Sequence, residues 1–372
     1  MRDRVGKGDV RRFGKRGRVP GVLMLGLLAS TLAPASLAAQ DPPRRVVRVE
    51  LAFDRGIDNR AEWRIAATRL LGDCFRTFRG WFPIDLRLEE VVAWSPGPGR
   101  RPLAERLGEM RRNVRRGSCE IVLGVISPER AATATLGIAS YARADILVMN
   151  LVSREAMRYV VLHELCHVFG AADIREKGAL MDIERPALFM DDWTSRVVRL
   201  NAGRSFGPGF PILPGASLDG LIALFEGRAG RGLGEPEVPL LLTLFYLEKN
   251  DLEAAARACA AAAEADPRFP AIHNLTGTVL MLRGETDLAI EEYRKAVQAE
   301  PYEPGVLFNL GLAFVEKGLL EEAAEAYRQA LKVDPGCDEA RRALGLVMAA
   351  GQDVHAARAA VQPFVLALRR GK

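Results

Sequence analysis

The sequence predicts two folded domains in series, an α+β domain followed by an all-helical repeat domain, behind an N-terminal export signal. Strand-like and helix-like segments are interspersed between residues 45 and 202. From residue 236 onward only helical patterns occur, and they return every 34 residues. A basic segment followed by an apolar run opens the chain. A length of 372 residues is enough for two or three domains.

The first 39 residues predict a secretory signal peptide. Arg2–Arg18 is basic, Gly21–Leu28 is an uninterrupted run of small or apolar residues, and Ser36–Ala39 supplies the small residues at which a signal peptidase cuts. We therefore expect an exported protein, either periplasmic or extracellular. The alternative is an uncleaved membrane anchor, because the apolar stretch Val19–Ala39 approaches the length that spans a bilayer.

The net charge of +5 does not indicate binding to nucleic acid. The first 38 residues hold eight Lys or Arg and two Asp or Glu, so the rest of the chain carries 44 basic and 45 acidic side chains. A net charge of −1 gives no general attraction to phosphates. We expect no nucleic-acid partner, and contact with a membrane only if the N-terminal segment is uncleaved.

Alternating and short apolar runs predict the strands of the α+β domain, residues 40–202. Four strands are predicted over 45–51, 84–88, 120–126 and 145–149, with a fifth, edge strand over 137–143. Apolar residues at helical spacing predict helices over 60–78, 103–116, 153–169 and 191–200. The predicted architecture is one sheet with helices packed against it.

A glycine-rich segment separates the two domains. Residues 203–235 contain nine Gly and three Pro, a density that disfavours both helices and strands. We expect a linker here, in which residues 217–226 could form one short helix.

Residues 236–372 contain an internal repeat. Three prolines recur at a step of 34 residues, Pro267, Pro301 and Pro335. The same step relates Gly277 to Gly311 and Gly345, and Tyr293 to Tyr327. This period resembles the tetratricopeptide repeat, with about three and a half units. The resemblance implies a helical solenoid whose groove binds a protein partner. The last unit lacks the tyrosine and the proline, and we expect it to form a capping hairpin.

Two histidines four residues apart predict a metal site on the third predicted helix. His163 and His167 lie one turn apart on the same face, so both imidazoles can bind one ion. Glu164 is placed to act as a general base toward a water molecule. Gly170 follows three residues after His167, where a left-handed turn would end the helix and bring Asp173 back as a third ligand.

The pattern from His163 to Asp173, followed by Met181, resembles the metzincin clan of zinc metallopeptidases. The resemblance covers roughly residues 45–204 and implies a zincin-like α+β catalytic domain. It also implies that the two histidines and Asp173 bind zinc, that Glu164 is the catalytic base, and that Met181 forms a hydrophobic floor beneath the ion.

Two features depart from the clan. Most members have histidine where Asp173 stands, and no tyrosine follows Met181 before the linker. Asp191 and Asp192 are therefore alternative third ligands, and Asp182 could cap or brace the turn.

The leading hypothesis is an exported zinc peptidase whose repeats bind a protein partner or the substrate. An extended peptide substrate would pair with the predicted edge strand. The residues that would then set side-chain preference are Ser140, Tyr141, Ala142 and Arg143. A second hypothesis is an interaction scaffold in which the metal-binding domain is structural or inactive. A third is a zinc hydrolase that acts on a bond other than an amide, because metal chemistry alone does not specify the substrate.

Overall fold

The structure is a computed structural model. It describes residues 44–57, 60–132, 135–140, 143–151, 153–182, 187–206, 215–232, 234–267, 270–299, 301 and 303–369. The predicted signal peptide lies outside the described residues. None of the helices in these ranges is long and apolar enough to cross a membrane.

The N-terminal unit is a five-stranded sheet with helices packed on both faces, and the predicted α+β domain is confirmed. Its strands are β1 (Arg45–Asp54), β2 (Ile84–Trp94), β3 (Ile121–Ile126), β4 (Gly137–Ser140) and β5 (Asp145–Met149). Its helices are α1 (Arg60–Trp81), α2 (Leu103–Asn113), α3 (Arg154–Val168) and α4 (Asp192–Asn201).

The strand order in the sheet is β2-β1-β3-β5-β4. The first four strands are parallel, and only β4, at the edge, is antiparallel to its neighbour β5. Val49 and Leu51 of β1 lie in the core that contains α1 and α3, whereas Ala52 packs with α2 on the other face. This alternation follows from the period of two in a strand. Because α3 packs against β4 and β5, its histidines lie near the edge of the sheet.

The glycine-rich segment is not a linker throughout, because it contains a long packed helix. Helix α5 (Gly215–Ala229) extends the short helix that the sequence allowed. Its Phe225 ring lies 5.0 Å from Trp193 of α4 and 5.1 Å from Phe245. These contacts help to bury one face of α5, so packing of that face rather than helix propensity stabilises the helix.

The C-terminal unit consists of four helical hairpins. Its helices are α6 (Glu237–Glu248), α7 (Leu252–Ala265), α8 (Pro270–Leu282), α9 (Thr286–Ala299), α10 (Pro304–Lys317), α11 (Leu320–Val333), α12 (Asp338–Ala350) and α13 (Val354–Arg369). The repeating glycines mark where the two helices of a hairpin touch. A Cβ added to Gly277 would lie 2.8 Å from the Tyr293 ring, and one added to Gly311 only 2.4 Å from the Tyr327 ring. Glycine and tyrosine thus recur together every 34 residues because the tyrosine ring packs directly against the glycine, where no Cβ could fit.

The last hairpin lacks this contact. Val361 occupies the position 34 residues after Tyr327, and a Cβ added to Gly345 would meet no atom within 4 Å. Helix α13 packs against α12 but also reaches α10, α8 and α6. The hairpin expected from the sequence is present, but its second helix lies in a different place from those of the earlier units.

All five cysteines, Cys74, Cys119, Cys166, Cys259 and Cys337, are buried and free. The structure therefore contains no disulfide among them, in agreement with the large apolar core of each unit.

Substitution of the repeat glycines tests this packing. We expect Gly311→Ala to destabilise the protein by about 1–3 kcal/mol, because the methyl group overlaps the Tyr327 ring. Gly345→Ala is the matched control, since it adds the same group in open space and should stabilise α12 by up to about 1 kcal/mol. Urea unfolding followed by circular dichroism measures both changes. Equal midpoints for the two variants would contradict the assigned role of the glycines.

Candidate metal site

Helix α3 is held in place by a cap at its N-terminus and by packing against the core. The Ser153 side chain accepts a hydrogen bond from the Ala156 N–H at 3.2 Å and caps the first turn. Val161 and Leu165 are completely buried in the main core. Packing on this face fixes the rotation of the helix about its axis, and with it the direction of the partly exposed histidine face.

The chain reverses direction at Gly170, as the sequence predicts. Gly170 has a φ of +79°. Its N–H donates to the His167 carbonyl at 2.9 Å, and the Ala171 N–H donates to the Cys166 carbonyl at 3.0 Å. These two bonds form a Schellman motif, which favours glycine at the left-handed position. The reversal returns the following residues, including Asp173, to the side of the helix that carries the histidines.

Three potential ligand atoms converge at this point. The Nε2 atoms of His163 and His167 are 3.1 Å apart. The Asp173 Oδ1 atom lies 3.3 Å from the His163 Nε2 and 3.5 Å from the His167 Nε2. Within the described residues these three side chains are the group of ligand-type atoms close enough to share one ion.

The other nitrogen of each histidine is bonded to the backbone. The His163 Nδ1 lies 3.0 Å from the Leu180 carbonyl, and the His167 Nδ1 lies 2.9 Å from the Ala171 carbonyl. A carbonyl can only accept, so each Nδ1 carries the proton. In the neutral rings both Nε2 atoms then present lone pairs to the centre of the site, which is the tautomer that a metal ligand requires.

The charges at the centre favour a cation. The Asp173 Oδ1 is buried without a hydrogen-bond partner. Burial lowers the pKa of His167, but the nearby Asp173 carboxylate outweighs this and raises the pKa to about 10. The carboxylate thus holds a proton on His167, and a metal ion that binds here must displace it. Burial likewise opposes ionisation of Asp173, yet the two histidines bring its pKa well below the usual range. Two imidazoles and a carboxylate are a donor set suited to a divalent ion such as zinc.

Glu164 is buried beside this site, with 5% of its surface exposed. Burial raises the pKa of its carboxyl, although the two histidines oppose the shift. A Cβ added to Gly137 of β4 would lie 2.5 Å from the Glu164 Oε1. The carboxylate therefore lies directly against the edge strand, in space that only glycine leaves open.

The remaining residues of the predicted motif lie around the turn. Met181 is completely buried, and its carbonyl accepts a hydrogen bond from the Ile174 N–H at 2.9 Å. Asp182 accepts from the Gly178 N–H at 3.0 Å and so braces the turn. Asp191 caps α4 by accepting from the Thr194 N–H at 2.8 Å. Asp191, an alternative third ligand, is thus occupied elsewhere, and Asp192 is an exposed residue of α4.

The edge strand is shorter than predicted. It ends at Ser140, and Tyr141 and Ala142 lie outside the described residues. Arg143 is in a turn, where its N–H donates to the Ser140 Oγ at 3.3 Å and its guanidinium binds Asp334 at 2.8 Å. Arg143 therefore joins the sheet to the repeats, and this contact does not fit the substrate-side role predicted for it.

Two glutamates near the start of α6, and an arginine of α5, hold the loop that carries Asp173. The Asp173 N–H donates to Glu237 at 2.8 Å, and the Arg175 N–H donates to Glu235 at 2.6 Å. Buried Arg228 of α5 binds Glu235 through two hydrogen bonds of 2.7 and 2.8 Å. Sequence reasoning missed these residues because more than 50 positions separate them from the motif.

Tyr159 is a further residue that the motif did not reveal. Its hydroxyl donates to the Leu180 carbonyl at 3.1 Å and lies 3.2 Å from the His163 Nδ1. It stands one helical turn before His163, at the spacing that places two side chains on the same face. That spacing was visible in the sequence. Tyr159 thus supports the orientation of His163 from behind the site.

Comparison with known proteins identifies the repeats. The family model described as "Tetratricopeptide repeat" matches residues 246–304 and 308–362. No curated protein matches the chain. The match and the 34-residue period together show that the C-terminal unit consists of tetratricopeptide repeats, an architecture built around binding surfaces.

Several solved structures are similar to part of the chain. A crystal structure of MamA is 16% identical, covers 50% of this chain and 96% of its own, and has a TM-score of 0.36. MamA 41-end from Desulfovibrio magneticus RS-1 is 21% identical, with coverages of 42% and 88% and a TM-score of 0.35. YrrB, described as a TPR protein with an unusual peptide-binding site, is 19% identical, with coverages of 40% and 77% and a TM-score of 0.33. With such low scores, the assignment of the repeats rests on the family model and the period.

Metal titration tests the three ligands. We expect the protein to bind one zinc ion, and Asp173→Ala to weaken binding by more than about 100-fold, since loss of an outer-shell partner alone costs about 10–100-fold. Asp192→Ala is the matched control and should leave the affinity unchanged, because Asp192 lies on the surface of α4. Competition with a chromophoric chelator gives the dissociation constants. A larger loss in the Asp192 variant would assign the third ligand to α4.

Proposed function

We propose that this chain is an exported, zinc-dependent peptidase whose tetratricopeptide repeats bind a protein partner or the substrate. The observation that carries the proposal is the convergence of the His163, His167 and Asp173 ligand atoms within 3.1–3.5 Å. Both histidines have their second nitrogen fixed by a backbone carbonyl, and a carboxylate lies beside them. Export follows from the predicted signal peptide.

Zinc, when bound by these three side chains, supplies a Lewis acid that polarises a carbonyl oxygen. Glu164 acts as the general base and takes a proton from the attacking water on its carboxylate. Its burial raises its pKa, which increases its affinity for that proton. Glu164 then delivers the proton to the leaving amine, so the carboxylate is regenerated at the end of the reaction.

Strand β4 is placed to bind an extended peptide. Among the described strands it is the last of the sheet, and it pairs only with β5. A peptide added to its open edge would gain backbone hydrogen bonds without regard to sequence. Gly137 puts the Glu164 carboxylate next to this strand. The bound peptide bond and the base would thus be brought to the same edge of the sheet.

The interaction scaffold is the second candidate, and the repeats favour it. Residues 246–304 and 308–362 match a repeat family whose stacked hairpins provide binding surfaces without catalysis. Under this alternative, the metal would hold the loop after α3 in place and no bond would be cleaved. The two candidates differ in what loss of Glu164 does to the protein.

Removal of the base separates the two candidates. We expect Glu164→Gln to bind zinc normally and to lose about 100- to 10,000-fold of the rate of hydrolysis of an unfolded protein substrate. Glu155→Gln is the matched control, because it makes the same change at an exposed position of α3. The assay follows release of labelled peptides by zinc-loaded protein. Equal cleavage by both variants, or cleavage that resists a chelator, would refute the peptidase, and no cleavage by any zinc-loaded sample would favour the scaffold.

The space at Gly137 provides a further test. We expect Gly137→Ala to reduce hydrolysis by at least about 10-fold, because the added methyl group would displace the Glu164 carboxylate. Zinc affinity should stay within about twofold of the original, since Gly137 does not contact the three ligands. Parallel measurements of zinc affinity and initial rate distinguish loss of the base from loss of the metal. An unchanged rate would show that the position of Glu164 at β4 is not required.

A further inference from the structure

Helix α13 is placed differently from the second helix of every earlier hairpin. Helices α7, α9 and α11 pack on the first helix of their own hairpin and on that of the next. Helix α13 packs on α12 and then on α10, α8 and α6, which are the first helices of the three preceding hairpins. We call the surface of α6, α8 and α10 that α13 covers the α13 groove.

The contacts show that α13 runs back along α10. Val354, at the start of α13, lies beside Gly318 at the end of α10, where an added Cβ would be 3.3 Å away. One turn later, Arg358 donates to the Glu316 carbonyl at 2.6 Å. Further along, the Phe364 ring lies 5.6 Å from the Phe308 ring, in an edge-on arrangement. The two helices are therefore antiparallel over about three turns.

The packing between α12 and α13 is less extensive than the packing between the two helices of each earlier hairpin. In two of them, α8–α9 and α10–α11, a tyrosine ring fills the space over a glycine, with overlap that leaves no room for a methyl group. In the last hairpin, Val361 replaces the tyrosine and Gly345 faces open space. The Phe364 ring still lies 5.4 Å from the Arg342 guanidinium of α12, so α13 is held by α12 and by the groove together. A helix that depends on the groove can be replaced by another helix that fits it.

The side chains of α13 show what kind of helix lies in the groove. Ala357, Val361 and Val365 follow one another at intervals of four residues and are all buried. This is the stripe of an amphipathic helix. Arg358 binds a carbonyl in the last turn of α10, where positive charge is favoured by the helix dipole. Gln362 donates to the Glu316 carboxylate at 3.1 Å. No Asp or Glu occurs between residues 354 and 369.

We propose that the α13 groove binds an amphipathic helix of a protein partner, and that α13 keeps the groove closed until such a helix displaces it. The partner helix carries small or aliphatic residues at intervals of four. It also carries a basic residue that takes the place of Arg358 and binds the C-terminal end of α10. This inference deepens the proposed function of the repeats, because it names their class of partner, and it is independent of the metal site. A tethered helix competes at an effective concentration in the millimolar range, so the closed groove lowers the apparent affinity for the partner.

Full-length protein and a labelled peptide of residues 352–369 test this proposal. We expect Phe364→Asp to bind the peptide at least 10-fold more tightly than the unchanged protein, because the substitution loosens α13 and leaves the groove residues intact. Leu366→Asp is the matched control, since Leu366 is 44% exposed on the same helix and should bind like the unchanged protein. A peptide that itself carries Phe364→Asp should not bind. Fluorescence anisotropy measures all four affinities.

Hydrogen exchange shows whether the variant protein retains its fold. Loss of amide protection should be confined to α13, with α8 and α10 still protected. If Phe364→Asp loses protection throughout the repeats, Arg358→Ala is the second variant, and it should give a smaller gain in the same direction. A folded variant that binds no more peptide than the control would overturn the proposal. So would a dimer detected by light scattering, because it would assign the groove to a second copy. Neither result bears on hydrolysis, which the Glu164 variant tests separately.

Discussion

The reversal of the chain at Gly170 is the constraint on which the site depends. A helix alone can align His163 and His167, but it cannot bring a third ligand to them. The left-handed conformation of Gly170 turns the chain back toward the helix. The Ala171 carbonyl then contacts the His167 Nδ1, and the Asp173 carboxylate lies next to both Nε2 atoms. A residue with a Cβ would be strained at this φ. One backbone conformation thus determines the tautomer of a ligand and the position of another.

The same reversal connects the sheet to the helical units. Ala172 is buried in the cluster that α4, α5 and α6 share, next to the residue that closes the ligand set. Glu235 and Glu237 then bind the two backbone N–H groups that flank Ile174. Buried Arg228 pairs with Glu235, so this carboxylate can lie in a poorly solvated region without an uncompensated charge. The loop after α3 therefore both carries a ligand of the site and packs against the helices that begin the repeats.

Local features of the site and fold could be predicted from the sequence, and distant ones could not. The histidine spacing and the glycine after the helix are contained within a dozen residues, and their geometry follows from helix periodicity and capping. Glu237 is 64 residues from Asp173, and no pattern in the chain links them. Helix α5 was predicted only in part, as a short helix over 217–226, because its glycines disfavour a helix and the contacts of Phe225 with Trp193 and Phe245 come from other elements. The absent tyrosine of the last repeat was visible, but the new position of α13 depends on a surface formed by three other helices.

The bond from α6 to the ligand loop also limits where the chain could be divided. The boundary between mixed and helical structure lies near residue 235, yet the acceptor for the Asp173 N–H lies just beyond it, at the first turn of α6. A recombination event that exchanged the repeats for another domain at this boundary would remove that acceptor and leave a buried donor in need of a partner. Replacement of the repeats at this boundary should therefore destabilise the ligand loop, whereas exchange of the later hairpins would leave its two hydrogen bonds in place.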